Sequence, residues 1–273
     1  MAQRVTTGVL LAAGAVVLLY FGGAVMSIAA MVSICFCVHE EYHALALAGH
    51  RPVSWPTWVG MAASIPLTLF LGSSVIIPIM MSVFLVTVIC VIFRNEPKLE
   101  DALVSILPIL TIVLPGMCVI GLSIIQPKGL QVVLLSLLMV VPLLGDTMAF
   151  FVGSRVRGPK LCPAVSPNKT RSGAIAGLCG SLVGAIMVGV VGWLCCDPAT
   201  RTLLPQWWEY LLLGLLGGVA GQMGDLFASL IKRHCGIKDF SNLFPGHGGM
   251  LDRLDSILFM AVLMFCHRLL VVI

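Results

Sequence analysis

Nine long apolar runs, separated by short polar segments, dominate this sequence. They fall near 7–22, 24–46, 57–72, 74–93, 102–124, 130–153, 174–195, 207–230 and 256–272. A helix needs roughly 20 consecutive apolar residues to cross a hydrocarbon layer of about 30 Å. Unpaired backbone N–H and C=O groups are too costly in that layer, which leaves helices and closed barrels as spanning forms. The runs are continuous rather than alternating, so the sequence predicts helices. Composition agrees: 59% of residues are hydrophobic and only 10% charged, against about 25% charged in a soluble domain. The expected fold is an all-α, polytopic integral membrane protein with about nine transmembrane helices. It forms a single membrane domain over 1–273.

Two features of the N-terminal region and the cysteines fit this reading. Arg4 followed by apolar residues resembles a secretory leader, but the stretch continues to about Val38, too long for a leader core. Gly22–Gly23 and Gly72–Ser73 mark tight turns between paired spans. Most of the ten cysteines lie inside apolar runs without metal-type spacing, and they read as small apolar side chains.

The connecting segments carry the topology. With nine spans, one side receives the N-terminus and the segments near 47–56, 94–101, 154–173 and 231–255. That side holds 13 of the 16 Lys and Arg residues, including Arg155, Arg157, Lys160, Lys169, Arg171, Lys232, Arg233, Lys238 and Arg253; the other holds only Lys128, Arg201 and Arg268. Basic loops stay in the cytoplasm. The expected placement is therefore the cell membrane, with the N-terminus and both long basic loops on the cytoplasmic side.

Acidic residues number only 12, and several occupy costly positions. Asp146 lies nine residues before Arg155, and Asp225 seven before Lys232, which places them roughly 13 and 10 Å below the loops in a helix. A charge at depth costs about 2.5–3.5 kcal/mol on insertion scales, so it normally faces a wet functional cavity; a structural carboxylate paired with a neighbouring Arg or Lys is the plainer alternative. A third cluster runs from Pro245 to Asp255 and contains Gly246, His247, Gly248 and Gly249. Its glycines let the backbone approach a ligand closely. A helix is expected to start near Met250, with Asp252 and Asp255 on one face. These two acids can cap the helix and oppose its dipole, or hold Mg²⁺ together with substrate phosphates. Asp225, Ser229, Lys232 and Arg233 share a helix face leaving the membrane. Ser166-Pro167-Asn168-Lys169-Thr170 reads as a compact polar turn suited to phosphate binding. Carboxylates for a divalent metal facing Lys and Arg at the membrane boundary describe phosphoryl or nucleotidyl transfer between a lipid and a water-soluble polyphosphate.

The stretch Ser229 to Asp255 resembles the signature of the phosphatidate cytidylyltransferases, or CDP-diacylglycerol synthases. It matches at Ser229, Ile231, Lys232-Arg233, Lys238-Asp239, Ser241, Phe244-Pro245, His247-Gly248-Gly249, Met250, Asp252-Arg253, Leu254 and Asp255. Gly145 to Gly153 is similar to the family's Asp-containing span, and Leu161 to Thr170 to its Ser-Pro-x-Lys-Thr loop. Glu40, Glu41 and Tyr42 sit where many relatives carry a helix-terminal Glu. The resemblance implies a nine-span helical fold, with a homodimer among the arrangements it allows. It also implies transfer of the cytidylyl group of CTP to phosphatidate, giving CDP-diacylglycerol and pyrophosphate.

On this reading the catalytic half lies at about 140–260, and Asp225, Asp252, Asp255, Lys232, Arg233 and His247 are the catalytic candidates. Ser166, Lys169, Lys238 and Arg253 bind substrate phosphates. Asp146, Asp225, Asp252 and Asp255 are the metal candidates for Mg²⁺, with room for a second cation. The expected partners are CTP, phosphatidate and the lipid bilayer, without nucleic acid. The sequence departs from the family at Ala228 and Ser172, where relatives usually carry Glu, which bears on metal stoichiometry. A cation-coupled transporter would also bury Asp146 and Asp225, but no internal repeat is present and the acids cluster on one side. A relative acting on another lipid phosphate and a non-catalytic scaffold are the remaining alternatives.

Overall fold

The computed structural model describes residues 2–156 and 158–272; Arg157, counted among the basic loop residues, lies outside them. Helices occupy all nine apolar runs. They are α1 (Ala2–Phe21), α2 (Gly23–Leu47), α3 (Trp55–Leu71), α4 (Ile76–Ile92), a rod made of α5 (Leu99–Pro108) and α6 (Leu114–Ser123), α7 (Lys128–Val156), α8 (Arg171–Cys195), α10 (Trp207–His234) and α11 (Leu251–Val272). A four-residue α9 (Pro198–Arg201) links α8 to α10, and a hairpin of β1 (Lys160–Cys162) and β2 (Ser166–Thr170) links α7 to α8. The chain is an integral membrane protein. Among the described residues, six helical segments are long and apolar enough to cross a membrane: α2, the α5–α6 rod, α7, α8, α10 and α11. The expected nine would add α1, α3 and α4; α3 and α4 have 17 residues each, the short end of the spanning range.

Local chemistry sets several boundaries. Thr170 caps α8, its hydroxyl accepting from Gly173 N at 3.1 Å. Asp197 caps α9 by accepting from Thr200 N at 3.0 Å. Gln206 and Glu209 form a reciprocal capping box at the start of α10. Pro108 lies where α5 gives way to the π-helical turn Ile109–Val113, a distortion that occurs often at functional sites.

α7 is the central helix. Leu134, Leu135, Leu137 and Leu138 are all buried, a broad apolar face turned into the core, while Leu143 and Phe150 are exposed. α8 packs along it through small residues. A Cβ on Gly180 would lie 2.6 Å from the carbonyl oxygen of Leu144, and one on Gly173 2.9 Å from that of Ala149. Lipid gives no hydrophobic reward for such contact, so close backbone packing has to supply the attraction. The outer faces carry exposed Phe70, Ile77, Leu85, Ile175 and Val191, a surface suited to acyl chains. Lys128 stacks over Tyr20, and Arg201 over Trp193. Trp207 and Trp208 are exposed at the start of α10. Aromatic and basic residues of this kind belong at a membrane interface.

Candidate active site

A cavity of about 570 Å³ opens where α7, α8, α10, α11 and the hairpin meet. α7 contributes Asp146, and the hairpin contributes Asn168 and Lys169. α10 contributes Gln222, Asp225 and Lys232; α11 contributes Asp252, Arg253 and Asp255. Asp239 lines it from the loop between the last two helices. The sequence-predicted acids thus converge, together with Lys169, Lys232 and Arg253.

Two ion pairs cross this space. Lys169 Nζ lies 2.6 Å from Asp225 Oδ2, with both side chains partly open to solvent. Lys232 Nζ lies 2.6 Å from Asp252 Oδ1, a pair that is almost enclosed. Ser229 Oγ donates to Asp225 Oδ1 at 3.5 Å, as the shared helix face predicts. The other oxygen of Asp252 accepts from Phe240 N and Gly249 N, both at 2.9 Å. Removing one partner from a buried pair strands the other charge, at a cost of about 3–5 kcal/mol. Asp255 Oδ1 accepts from Ser256 N at 2.7 Å. Gln222 Nε2 donates to Ala174 O at 3.0 Å and ties α10 to α8 in the cavity wall.

Other candidates lie outside the lining. Arg233 points away from it: Nε donates to Val165 O at 3.4 Å and Nη1 to Ile237 O at 3.3 Å, so it holds the hairpin tip against the following loop. Ser166 is half-buried in β2 and Lys238 is exposed; neither borders the cavity. His247 is half-buried away from it, and its Nδ1 is buried without a partner among the described residues. The segment Ser166–Thr170 is a strand rather than a compact turn. The chain reverses one step earlier, where Val165 N donates to Cys162 O, and Lys160 pairs with Thr170.

The metal question turns on donor chemistry. Among the described residues, no three His, Cys, Asp or Glu side chains are grouped closely enough to hold an ion by themselves. Mg²⁺ does not require such a cage, because it commonly takes one or two carboxylates and completes its shell with water and substrate phosphates. Five carboxylates and three cations border the cavity, so a polyanion entering alone would meet net negative charge. This donor set fits a divalent ion that arrives with phosphate.

Sequence reasoning gave Glu40 little weight. It is buried, and its carboxylate accepts from Ser241 Oγ at 2.5 Å, Met250 N at 2.9 Å and Leu251 N at 2.8 Å. The available signal was an acid within an apolar helix. Nothing local pairs residue 40 with residue 250. The signature glycines also acquire a different explanation. A Cβ on Gly249 would lie 2.6 Å from each Glu40 oxygen, and one on Gly248, whose φ is +84°, would lie 2.8 Å from Asp252 Oδ2. These glycines admit protein carboxylates to the backbone, where the sequence suggested an approaching ligand.

Comparison with known proteins accords with the site. Phosphatidate cytidylyltransferase of Brucella abortus (biovar 1, strain 9-941) is 41% identical over 120 residues, which is 44% of this chain and 41% of that protein. The Bacillus subtilis (strain 168) protein of the same name is 44% identical over 115 residues, 42% of this chain and 39% of the relative. The Staphylococcus haemolyticus (strain JCSC1435) protein is 38% identical over 140 residues, 51% and 49% of the two chains. The chain thus spans less than half the length of each of these curated relatives. The family model described as the cytidylyltransferase family matches residues 2–271, nearly end to end, and the chain belongs to that family.

Proposed function

We propose that this protein transfers the cytidylyl group of CTP to phosphatidate, giving CDP-diacylglycerol and pyrophosphate for phospholipid synthesis. The observation that carries this reading is the single cavity in which Asp146, Asp225 and Asp255 meet Lys169, Lys232 and Arg253 at the ends of apolar helices. A lipid phosphate can reach it from the bilayer and a nucleotide from water. The names of the relatives supply the substrates. Residues 140–260 form the catalytic part of one membrane domain, and the bias of basic residues supports a cavity facing the cytoplasm, with the N-terminus inside.

The reaction is an in-line displacement. A phosphate oxygen of phosphatidate bonds to the α-phosphorus of CTP, the bond from that phosphorus to the bridging oxygen breaks, and pyrophosphate leaves with the electron pair. Phosphatidate is already an anion, so no strong base is needed, and the loop position of His247 accords with a packing role. Lys169, Lys232 and Arg253 orient phosphates and offset their charge. Asp225, Asp146 and Asp255 would hold Mg²⁺, whose contribution is to neutralise charge on the triphosphate. Asp252, with both oxygens engaged, positions Lys232 and the loop.

The test is to mix detergent-purified protein with phosphatidate, labelled CTP and Mg²⁺. Label is expected in the lipid phase, and EDTA should abolish it. Folded protein that labels no phosphatidate would overturn the reading; label in a different lipid phosphate would redirect the substrate.

A further inference from the structure

The start of α11 carries Asp252, Arg253 and Asp255 into the cavity, so whatever fixes that start sets the geometry of the site. A helix start leaves its first N–H groups without intrahelical partners. Here two carboxylates satisfy three backbone N–H groups at the junction. Asp252 takes Gly249 N, and Glu40 takes Met250 N and Leu251 N, one on each oxygen. Glu40 also accepts from Ser241 Oγ, near the beginning of the same loop. No Lys, Arg or His forms a salt bridge with Glu40 among the described residues. Its buried carboxyl group is therefore met by N–H and O–H donors at the start of α11. Gly249 brings the backbone close to both carboxylate oxygens, and a Cβ there would collide with them.

We infer that Glu40 is a positioning residue of the active site: it reaches from α2, in the opposite half of the chain, to fix the 239–250 loop and aim Asp252, Arg253 and Asp255. Its effect on turnover rests on the proposed cytidylyl transfer. Its effect on the loop does not.

The test compares Glu40→Ala, the isosteric Glu40→Gln, Gly249→Ala and the Glu40→Ala/Gly249→Ala double variant in detergent. Amide hydrogen exchange and steady-state kinetics are measured on each. Glu40→Ala and Gly249→Ala should each speed exchange over residues 239–251 on the order of tenfold, leaving α7 and α8 unchanged. Each should lower kcat on the order of 10²-fold with a smaller change in KM. Glu40→Gln, which keeps one acceptor oxygen, should fall between wild type and Glu40→Ala. The double variant should be no worse than its poorer parent, because both changes break one contact. If Glu40→Ala does not fold, the comparison rests on Glu40→Gln. Wild-type exchange in folded Glu40→Gln, or fully additive effects in the double variant, would overturn the inference. An altered loop with no cytidylyl transfer in wild type would uphold the brace and count against the reaction.

Discussion

Gly116 in the first half of this molecule and Gly173 and Gly180 in the second press against different things. In the first half, a Cβ on Gly116 would meet Cδ1 and Cγ1 of the buried Ile34 side chain, atoms that can shift without moving a backbone. In the second, a Cβ on Gly173 or Gly180 would meet a backbone carbonyl of α7, and a helix cannot move one carbonyl without displacing its neighbours. The rigid contact is the one beside the cavity: Gly173 lines it directly, and α7 carries Asp146 into it. Cations and carboxylates have to be held to within fractions of an ångström for electrostatic catalysis, and tight packing of two backbones provides that.

The largest effect expected from testing this contrast lies in the cavity itself. Asp225→Asn should lower kcat by at least about 10²-fold in the CTP assay. Its thermal midpoint should stay within a few degrees of wild type, because the Lys169–Asp225 pair is partly solvated. A large stability loss would instead make Asp225 structural. Next comes packing. Gly180→Ala should destabilise by about 1–3 kcal/mol, and Gly116→Ala by clearly less; thermal denaturation in detergent reads both. Equal losses would erase the distinction between the halves. Lys169→Met should leave the fold intact and raise the KM for CTP severalfold, sharpening the assignment of the hairpin to phosphate. Smallest is Arg94→Ala. It removes a 3.6 Å ion pair with the buried Asp101 and a hydrogen bond to Arg51 O; Asp101 keeps the Arg51 N donor, so stability should fall by about 1 kcal/mol with turnover unchanged.

How much of this could be read in advance depended on whether each signal was local. Asp146 and Asp225 stood out because an acid within an apolar helix has few inexpensive explanations, and both line the cavity. Apolar run length located the helices within a few residues, although α3 and α4 show that an apolar run can mark a helix at the short end of the spanning range. The hairpin was harder. Ser166–Thr170 has no hydrophobic alternation, and its pairing with Lys160–Cys162 is a property of the turn between them. Arg233 sits beside Lys232 in sequence but projects to another face of α10, towards Val165. Glu40 was the least legible because its partners lie 201 to 211 positions away. No spacing rule spans that distance.

That separation also has a meaning in time. A ribosome releases this chain N-terminal end first, so α2 is made well before the residues that Glu40 will hold. Until Met250 and Leu251 emerge, Glu40 lacks the backbone donors that occupy it in the finished protein, and Lys232 lacks Asp252. The charged groups can therefore be drawn into their final arrangement only as α11 arrives. Assembly of the cavity is in this sense a signal that α2, α10 and α11 have all been made and have met.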